Sequence, residues 1–185
     1  LLSRNAGEVQ IAEAIQENRG CLAFLDVDYL KKINDTIGHK AGDRLLALVG
    51  TVLSECAENS IVCRLGGDEF LLYMKEASRE SAVACMEKIM KQFHQKKEED
   101  VAVRQASLSA GLCMTTPMDV YADVYNKADK ALYYVKRNGK AGYCFYKNED
   151  QIHHNHVNVD LIQVKEALKA SGDYNGALNV EYREF

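Results

Sequence analysis

Residues 61–75, IVCRLGGDEFLLYMK, hold two apolar runs, IVCRL and EFLLYMK, on either side of Gly66, Gly67 and Asp68. Strand-like runs separated by glycines with an acid behind them signal a hairpin, because glycine reaches the positive-φ conformations that tight strand turns need. Two carboxylates, Asp68 and Glu69, are left at the tip. The plain reading is a turn with solvated charges; the sharper one is a site for a metal and a nucleotide.

Outward from the hairpin, CLAFLDV (21–27) is a continuous apolar run ending in an acid, which suits a strand buried on both faces. Residues 6–19, AGEVQIAEAIQENR, place Val9, Ile11, Ala12 and Ile15 at helical spacing, with Gly20 as a stop. Asp28 is expected to cap a short helix through Ile33, and a longer helix over 41–57 carries Leu45, Leu46, Leu48, Val49, Val52 and Leu53. Beyond the hairpin come an amphipathic helix (78–97), a strand (105–115), a helix from Asp119 to Arg137 stopped by Asn138 and Gly139, and a last strand, YCFYK (143–147). This order predicts an α+β fold, a ferredoxin-like core with helices over a mostly antiparallel central sheet.

The 185 residues suffice for one domain with a proper core, and 47% hydrophobic with 27% charged residues is ordinary for a soluble globular protein. A formal net charge of −4 argues against a nucleic-acid surface, which is normally strongly basic. The six cysteines, spread out with no CxxC pair, read as reduced core residues of a cytoplasmic protein rather than as disulfides or zinc ligands. No apolar run approaches the ~20 residues of a membrane span, and no signal peptide precedes the domain; a membrane anchor on a longer parent stays open. After about Asp150 the chain turns polar. We read 1–148 as the domain and 149–185 as a linker with the helical start of a further module; His153, His154 and His156 belong to that linker rather than to a metal site.

Asp26 ends the first buried strand, and Asp68 and Glu69 sit in the hairpin, so neighbouring strands would bring these acids together. Clustered carboxylates repel one another and call for a cation. Oxygen ligands favour Mg²⁺ or Mn²⁺, and Mg²⁺ usually takes one or two carboxylates with phosphates and water. In DYLKKINDTIGHKAGD (28–43), Lys31 follows the strand end closely enough to reach a phosphate, and Asn34 with Asp43 offers an amide and a carboxylate that match guanine. Gly38 and Gly42 let the backbone turn between them. The spaced acids and closing glutamate of an EF-hand are missing. Lys136, Arg137 and Lys140 end the last helix, where they are either partners of the helix dipole or neutralise a triphosphate.

Assembled, these residues closely resemble the GGDEF-domain family, the diguanylate cyclases, from Leu1 to about Lys147. LLSRNA (1–6) is similar to the end of the family's opening motif, DVDYLKKIND (26–35) to its Asp-x-Asp-x-Phe-Lys-x-x-Asn-Asp run, GHKAGD (38–43) to Gly-His-x-x-Gly-Asp, and GGDEF stands letter for letter at 66–70. SLSAG (107–111) and ADKALYYVKRNGK (128–140) complete the pattern. The resemblance implies a nucleotidyl-cyclase palm fold and the condensation of two GTP into cyclic di-GMP with release of two pyrophosphates, by an antiparallel homodimer whose subunits each hold one GTP. It implies Mg²⁺ or Mn²⁺, two per active site, bound by Asp26, Asp68 and the Val27 carbonyl. It further implies Asp68, Glu69 and Lys136 as catalytic residues, guanine read by Asn34 and Asp43, phosphates held by Lys31, Lys136 and Lys140, and Gly66 and Gly67 leaving room for the triphosphate.

Departures from the pattern carry expectations too. AENS (57–60) stands where product-inhibited relatives have Arg-x-x-Asp, so no feedback inhibition is expected there. Tyr29 and Leu30 replace a usual aromatic, Lys140 stands where arginine is common, and Arg64 either serves a neighbouring subunit or faces solvent. Sensory or regulatory domains are expected upstream or downstream in the full-length protein. The rival readings are a catalytically inactive GTP-binding or protein-interaction module, and a cyclase joining GMP to AMP, against which the guanine-matching Asp43 speaks.

Overall fold

The computed structural model describes residues 1–147. In chain order the elements are α1 (Arg4–Glu17), β1 (Gly20–Asp28), α2 (Leu30–Thr36), α3 (His39–Cys56), β2 (Ser60–Gly66), β3 (Glu69–Lys75), α4 (Arg79–Lys97), β4 (Ser107–Thr115), α5 (Tyr121–Arg137) and β5 (Gly142–Phe145). They form one five-stranded sheet in the order β2-β3-β1-β4-β5, antiparallel except for the β4–β5 pair. The first four strands and their helices make the expected ferredoxin-like arrangement. The parallel β5 is reached through α5, as parallel neighbours require. The linker, its histidines and the helix expected near residue 160 lie outside the described residues.

β1 is buried along its whole length, because it lies between β3 and β4 with helices over both faces. Its side chains alternate between two apolar layers. Cys21, Ala23, Leu25 and Val27 pack into the larger one with α2, α3 and α4; Leu22 and Phe24 pack into the smaller one with Ile11 and Ile15 of α1 and Val124, Ala128 and Leu132 of α5. All six cysteines are free, five buried and Cys85 half-buried, as the apolar surroundings in the sequence suggest. Burial pushes the Cys63 and Cys113 thiols up to about 11, which keeps them protonated and unreactive. No helix among the described residues is long and apolar enough to cross a membrane.

Two local expectations need correcting. α1 begins at Arg4 rather than residue 6, and Gly20 opens β1 instead of stopping the helix. Asp28 does not cap a helix: it is the last residue of β1, and the capping position of α2 falls to Tyr29, in left-handed conformation (φ 67°) with no side-chain cap. A carboxylate in the sheet's register is held by its strand neighbours and cannot turn towards the next helix.

Gly111 in β4 explains how α5 can lie against the sheet. A Cβ there would run into the α5 backbone at Ala128 O and Leu132 N. Neither atom can rotate away, so an added methyl must push the helix off the strand. Gly111→Ala is expected to lose roughly 1–3 kcal/mol of stability, the usual range for overpacking. A urea-unfolding midpoint equal to that of the parent chain would refute this account of the helix–sheet contact.

Candidate active site

The alternation that builds the core also builds the site. Continuing the Leu22–Phe24 face, Asp26 and Asp28 point towards the layer of α5, and both are buried. β3 brings its own acids to the same place: Glu69 pairs with Asp26 in register, and the Val27 N–H donates to Asp68 O at 3.0 Å. The sequence expectation that the strand end and the hairpin converge therefore holds. Asp26, Val27, Asp68, Lys31, Lys136 and Lys140 all line one open cleft of about 540 Å³.

Asp26 is the electrostatic centre. Its carboxyl pKa is raised to about 6 as a net effect: burial drives it up, the Lys136 ammonium at 2.5 Å from Oδ2 pulls it back, and the negative charges of Asp68 and Asp28 add to the rise. Asp28 is also raised, mainly by burial, against hydrogen bonds from Ser109 and Ser107. Both acids keep one buried oxygen, Oδ1, with no hydrogen-bond partner. Asp26, Asp68 and Val27, which line the same cleft, offer oxygen donors, the ligand type that Mg²⁺ and Mn²⁺ take. Among the described residues no three His, Cys, Asp or Glu side chains are grouped to hold an ion alone. Mg²⁺ in particular is commonly bound by one or two carboxylates, with substrate phosphates and waters completing its shell.

At the end of α5 the cations divide. Lys136 turns inward to Asp26, whereas Arg137 lies 5.7 Å from the Tyr133 ring, away from the cleft. The Lys140 ammonium sits 4.5 Å over the Tyr29 ring. Tyr29, Lys140 and its neighbour Ala141 all have positive φ, a conformation costing a non-glycine residue roughly 1–2 kcal/mol. Strained backbone on both sides of a cleft is a pattern of functional sites.

Not every predicted residue meets here. Asn34, on α2, has its Oδ1 buried, without a hydrogen-bond partner and close against Gly42 at the start of α3. Asp43 is exposed and lines a separate hollow of about 660 Å³ with Leu46, Arg64 and Phe70. Gly66 and Gly67 form the exposed hairpin tip, both at positive φ. Arg64 is exposed, and its Nη2 and Nε donate to Gly67 O at 2.7 and 3.2 Å, closing the turn. Asp28 is the residue that sequence reasoning missed. The period-2 continuation of β1 was the signal that could have placed it beside Asp26.

A five-stranded α+β sheet with acids and lysines gathered where its central strands meet the hairpin defines the class of domain. The chain belongs to the GGDEF family: residues 1–142 match the family described as diguanylate cyclase, GGDEF domain. Diguanylate cyclase A of Treponema denticola is 32% identical over 130 residues, covering 69% of this chain and 35% of that protein. Cyclic di-GMP phosphodiesterase PdeR of Escherichia coli K12 is 30% identical over 155 residues, covering 80% of this chain and 23% of that protein. Among solved structures, the GGDEF domain of DgcB from Caulobacter crescentus, in complex with c-di-GMP, aligns with a TM-score of 0.69 at 28% identity, covering 76% of this chain and 85% of that one. The aligned part thus spans well under half of these two curated relatives.

The Asp26 shift fixes the sign of a pH effect. Its carboxyl is raised on folding, so its contribution to stability is fully present below the unfolded value and is lost as pH rises through about 6. In metal-free protein, the unfolding free energy of the parent relative to Asp26→Asn should fall by roughly 2 kcal/mol between about pH 4.5 and 7.5. Mg²⁺ should raise the parent's Tm more at the higher pH and leave Asp26→Asn unmoved. Parallel stability curves for the two proteins would contradict the buried, destabilised carboxylate.

Proposed function

We propose that this domain is a diguanylate cyclase: it condenses two GTP molecules into cyclic di-GMP and two pyrophosphates, with Mg²⁺ or Mn²⁺, two ions per active site, as antiparallel homodimer. The observation that carries the proposal is the single cleft lined by Asp26, Asp68, Lys31, Lys136 and Lys140. Carboxylates beside lysines make a place where a polyphosphate and its cation can be neutralised together. Among the described residues this cleft brings together one such set of side chains, and joining two nucleotides needs two, which is why the reading includes a second copy.

In this mechanism Asp26, Asp68 and the Val27 carbonyl would hold the cation, which when bound would offset phosphate charge and make the 3′-hydroxyl more acidic. Lys31, Lys136 and Lys140 orient the triphosphate, while Gly66 and Gly67 leave the backbone open to it. Asn34 and Asp43 select guanine, Asp43 by accepting from N1–H and the exocyclic amine. The 3′-oxygen of one GTP forms a bond to the α-phosphorus of the other, the α–β bridging bond breaks, and pyrophosphate leaves with its electron pair. Glu69 or Asp68 takes the hydroxyl proton. The same exchange in the opposite sense closes the ring. A nucleoside triphosphate substrate and reduced cysteines fit a cytoplasmic domain under the control of neighbouring regulatory domains. With Ala57–Ser60 in place of an Arg-x-x-Asp motif, cyclic di-GMP is not expected to bind there as an inhibitor.

A second reading has one observation in its favour: a relative of this chain is named a cyclic di-GMP phosphodiesterase, so domains of this sequence type also occur in proteins named for a different activity. In that reading the domain binds GTP and regulates a neighbour without turnover.

Incubating the dimeric protein with GTP and Mg²⁺ and identifying the products decides between them. Cyclic di-GMP should form, and Asp68→Ala should reduce the rate by at least about a hundredfold, as expected on losing a metal carboxylate. GTP binding without product would favour the regulatory reading. A mixed dinucleotide on adding ATP would overturn guanine selection.

A further inference from the structure

We infer that Asp28 is a positioning residue: it holds the Lys140–Ala141 turn in the conformation that carries the Lys140 ammonium to the mouth of the cleft. The inference rests on the proposed role of Lys140 as a phosphate-holding group and extends it to Asp28, which also lines the cleft and whose Oδ2 is bonded to the chain itself.

Asp28 sits where three parts of the chain meet. Its Oδ2 accepts from the Ser107 and Ser109 hydroxyls of β4 at 2.7 Å each and from the main-chain N–H of Ala141 at 3.4 Å. The Ala141 N–H also reaches Ser109 Oγ at 3.2 Å, so carboxylate and hydroxyl share the hold on that amide. On the other side the Lys140 N–H donates to Val135 O at 3.0 Å, tying the turn to the end of α5. Between these two ties Lys140 and Ala141 stand at φ 63° and 54°. Consecutive non-glycine residues in that region persist only where the surroundings over-determine them. Asp28 supplies a charged acceptor for that purpose, and hydrogen bonds to charged groups are the stronger kind.

The consequence for the cleft is direct. Asp28 is followed by Tyr29, whose ring lies beneath the Lys140 ammonium. One residue thus fixes both the tyrosine platform, through the chain, and the lysine turn, through space. Stability alone does not account for it, since a buried carboxylate with one oxygen unpartnered is an expensive way to join β1 to β4. Lys136 also feels the Asp28 charge, so the test must separate the two lysines.

A double-mutant cycle on the full chain does so, using the α,β-methylene analogue of GTP with Mg²⁺, whose α–β bridge cannot be cleaved. Asp28→Ala should weaken binding about tenfold, and Asp28→Asn, which keeps an acceptor for the Ala141 amide, by no more than about threefold. In a Lys140→Ala background Asp28→Ala should cost less than about twofold, while in a Lys136→Ala background the full loss should remain. Equal losses with and without Lys140 would overturn the inference. Hydrogen exchange in the nucleotide-free protein provides a second readout: in Asp28→Ala the Ala141 amide should exchange at least about tenfold faster while amides of the β1–β3 ladder hold. If the parent binds no nucleotide, the proposed function fails, yet the exchange measurement still decides whether Asp28 holds the turn; an unchanged Ala141 rate says that it does not.

Discussion

The ion pair between Asp26 and Lys136 is the contact on which the site depends, and the fold is arranged so that it can form. Asp26, at the end of a central strand covered on both faces, is largely withdrawn from water, so its charge is met by a protein cation or carries the cost of burial. The cation comes from the far end of α5. It arrives there because Gly111 lets α5 approach β4 to backbone distance, and because Val124, Ala128 and Leu132 seat the helix against Leu22 and Phe24. The apolar layer and the charged cleft are thus two stretches of one helix–sheet contact.

The hairpin places its acid by a different means. Asp68 is set by main-chain bonds: its carbonyl accepts from Val27 N–H, and Gly67 O is clamped by Arg64. A register shift between Arg64 and Gly66 narrows the turn to Gly67 and Asp68, after which Phe70 re-enters the core. Because backbone fixes the tip, the Asp68 side chain is free to serve a ligand rather than the turn. Arg64 also lies 6.0 Å from the Phe70 ring, which joins the clamp to the core below it.

Most of the architecture was legible because strand and helix periods differ and the apolar runs are long. The central strand, the hairpin, the order of elements and the convergence of Asp26 with Asp68 all follow from that pattern. Helix ends were read less well. Gly20 looks like a stop in sequence, yet it opens a strand because Lys75 at the end of β3 and Thr115 at the end of β4 pair with it. Asp28 looks like a cap because it precedes a helix, and nothing local announces that Ser107 and Ser109, some eighty residues away in sequence, will claim it. Arg64 was ambiguous for the same reason: its partner is a main-chain oxygen, which the sequence does not display. Asn34 and Asp43, joined in the sequence reading by their match to guanine, stand on the consecutive helices α2 and α3, with Asn34 Oδ1 close against Gly42, the residue before Asp43.

Asp26 and Asp28 lie two residues apart on one face of one strand, and both are raised by burial, yet their partners assign them different work. The partner of Asp26 is an ammonium on a flexible four-carbon stem, one strong contact that can move to a phosphate at little conformational cost. The partners of Asp28 are two short-stemmed hydroxyls on a neighbouring strand and a main-chain N–H that cannot leave without the turn moving. A carboxylate with an exchangeable partner suits a cation that comes and goes with substrate. A carboxylate with fixed partners suits the frame around that exchange. Period-2 geometry therefore does more than hide apolar side chains in this domain: it lines up a working acid and a holding acid, and the difference between them lies wholly in what the neighbouring elements present.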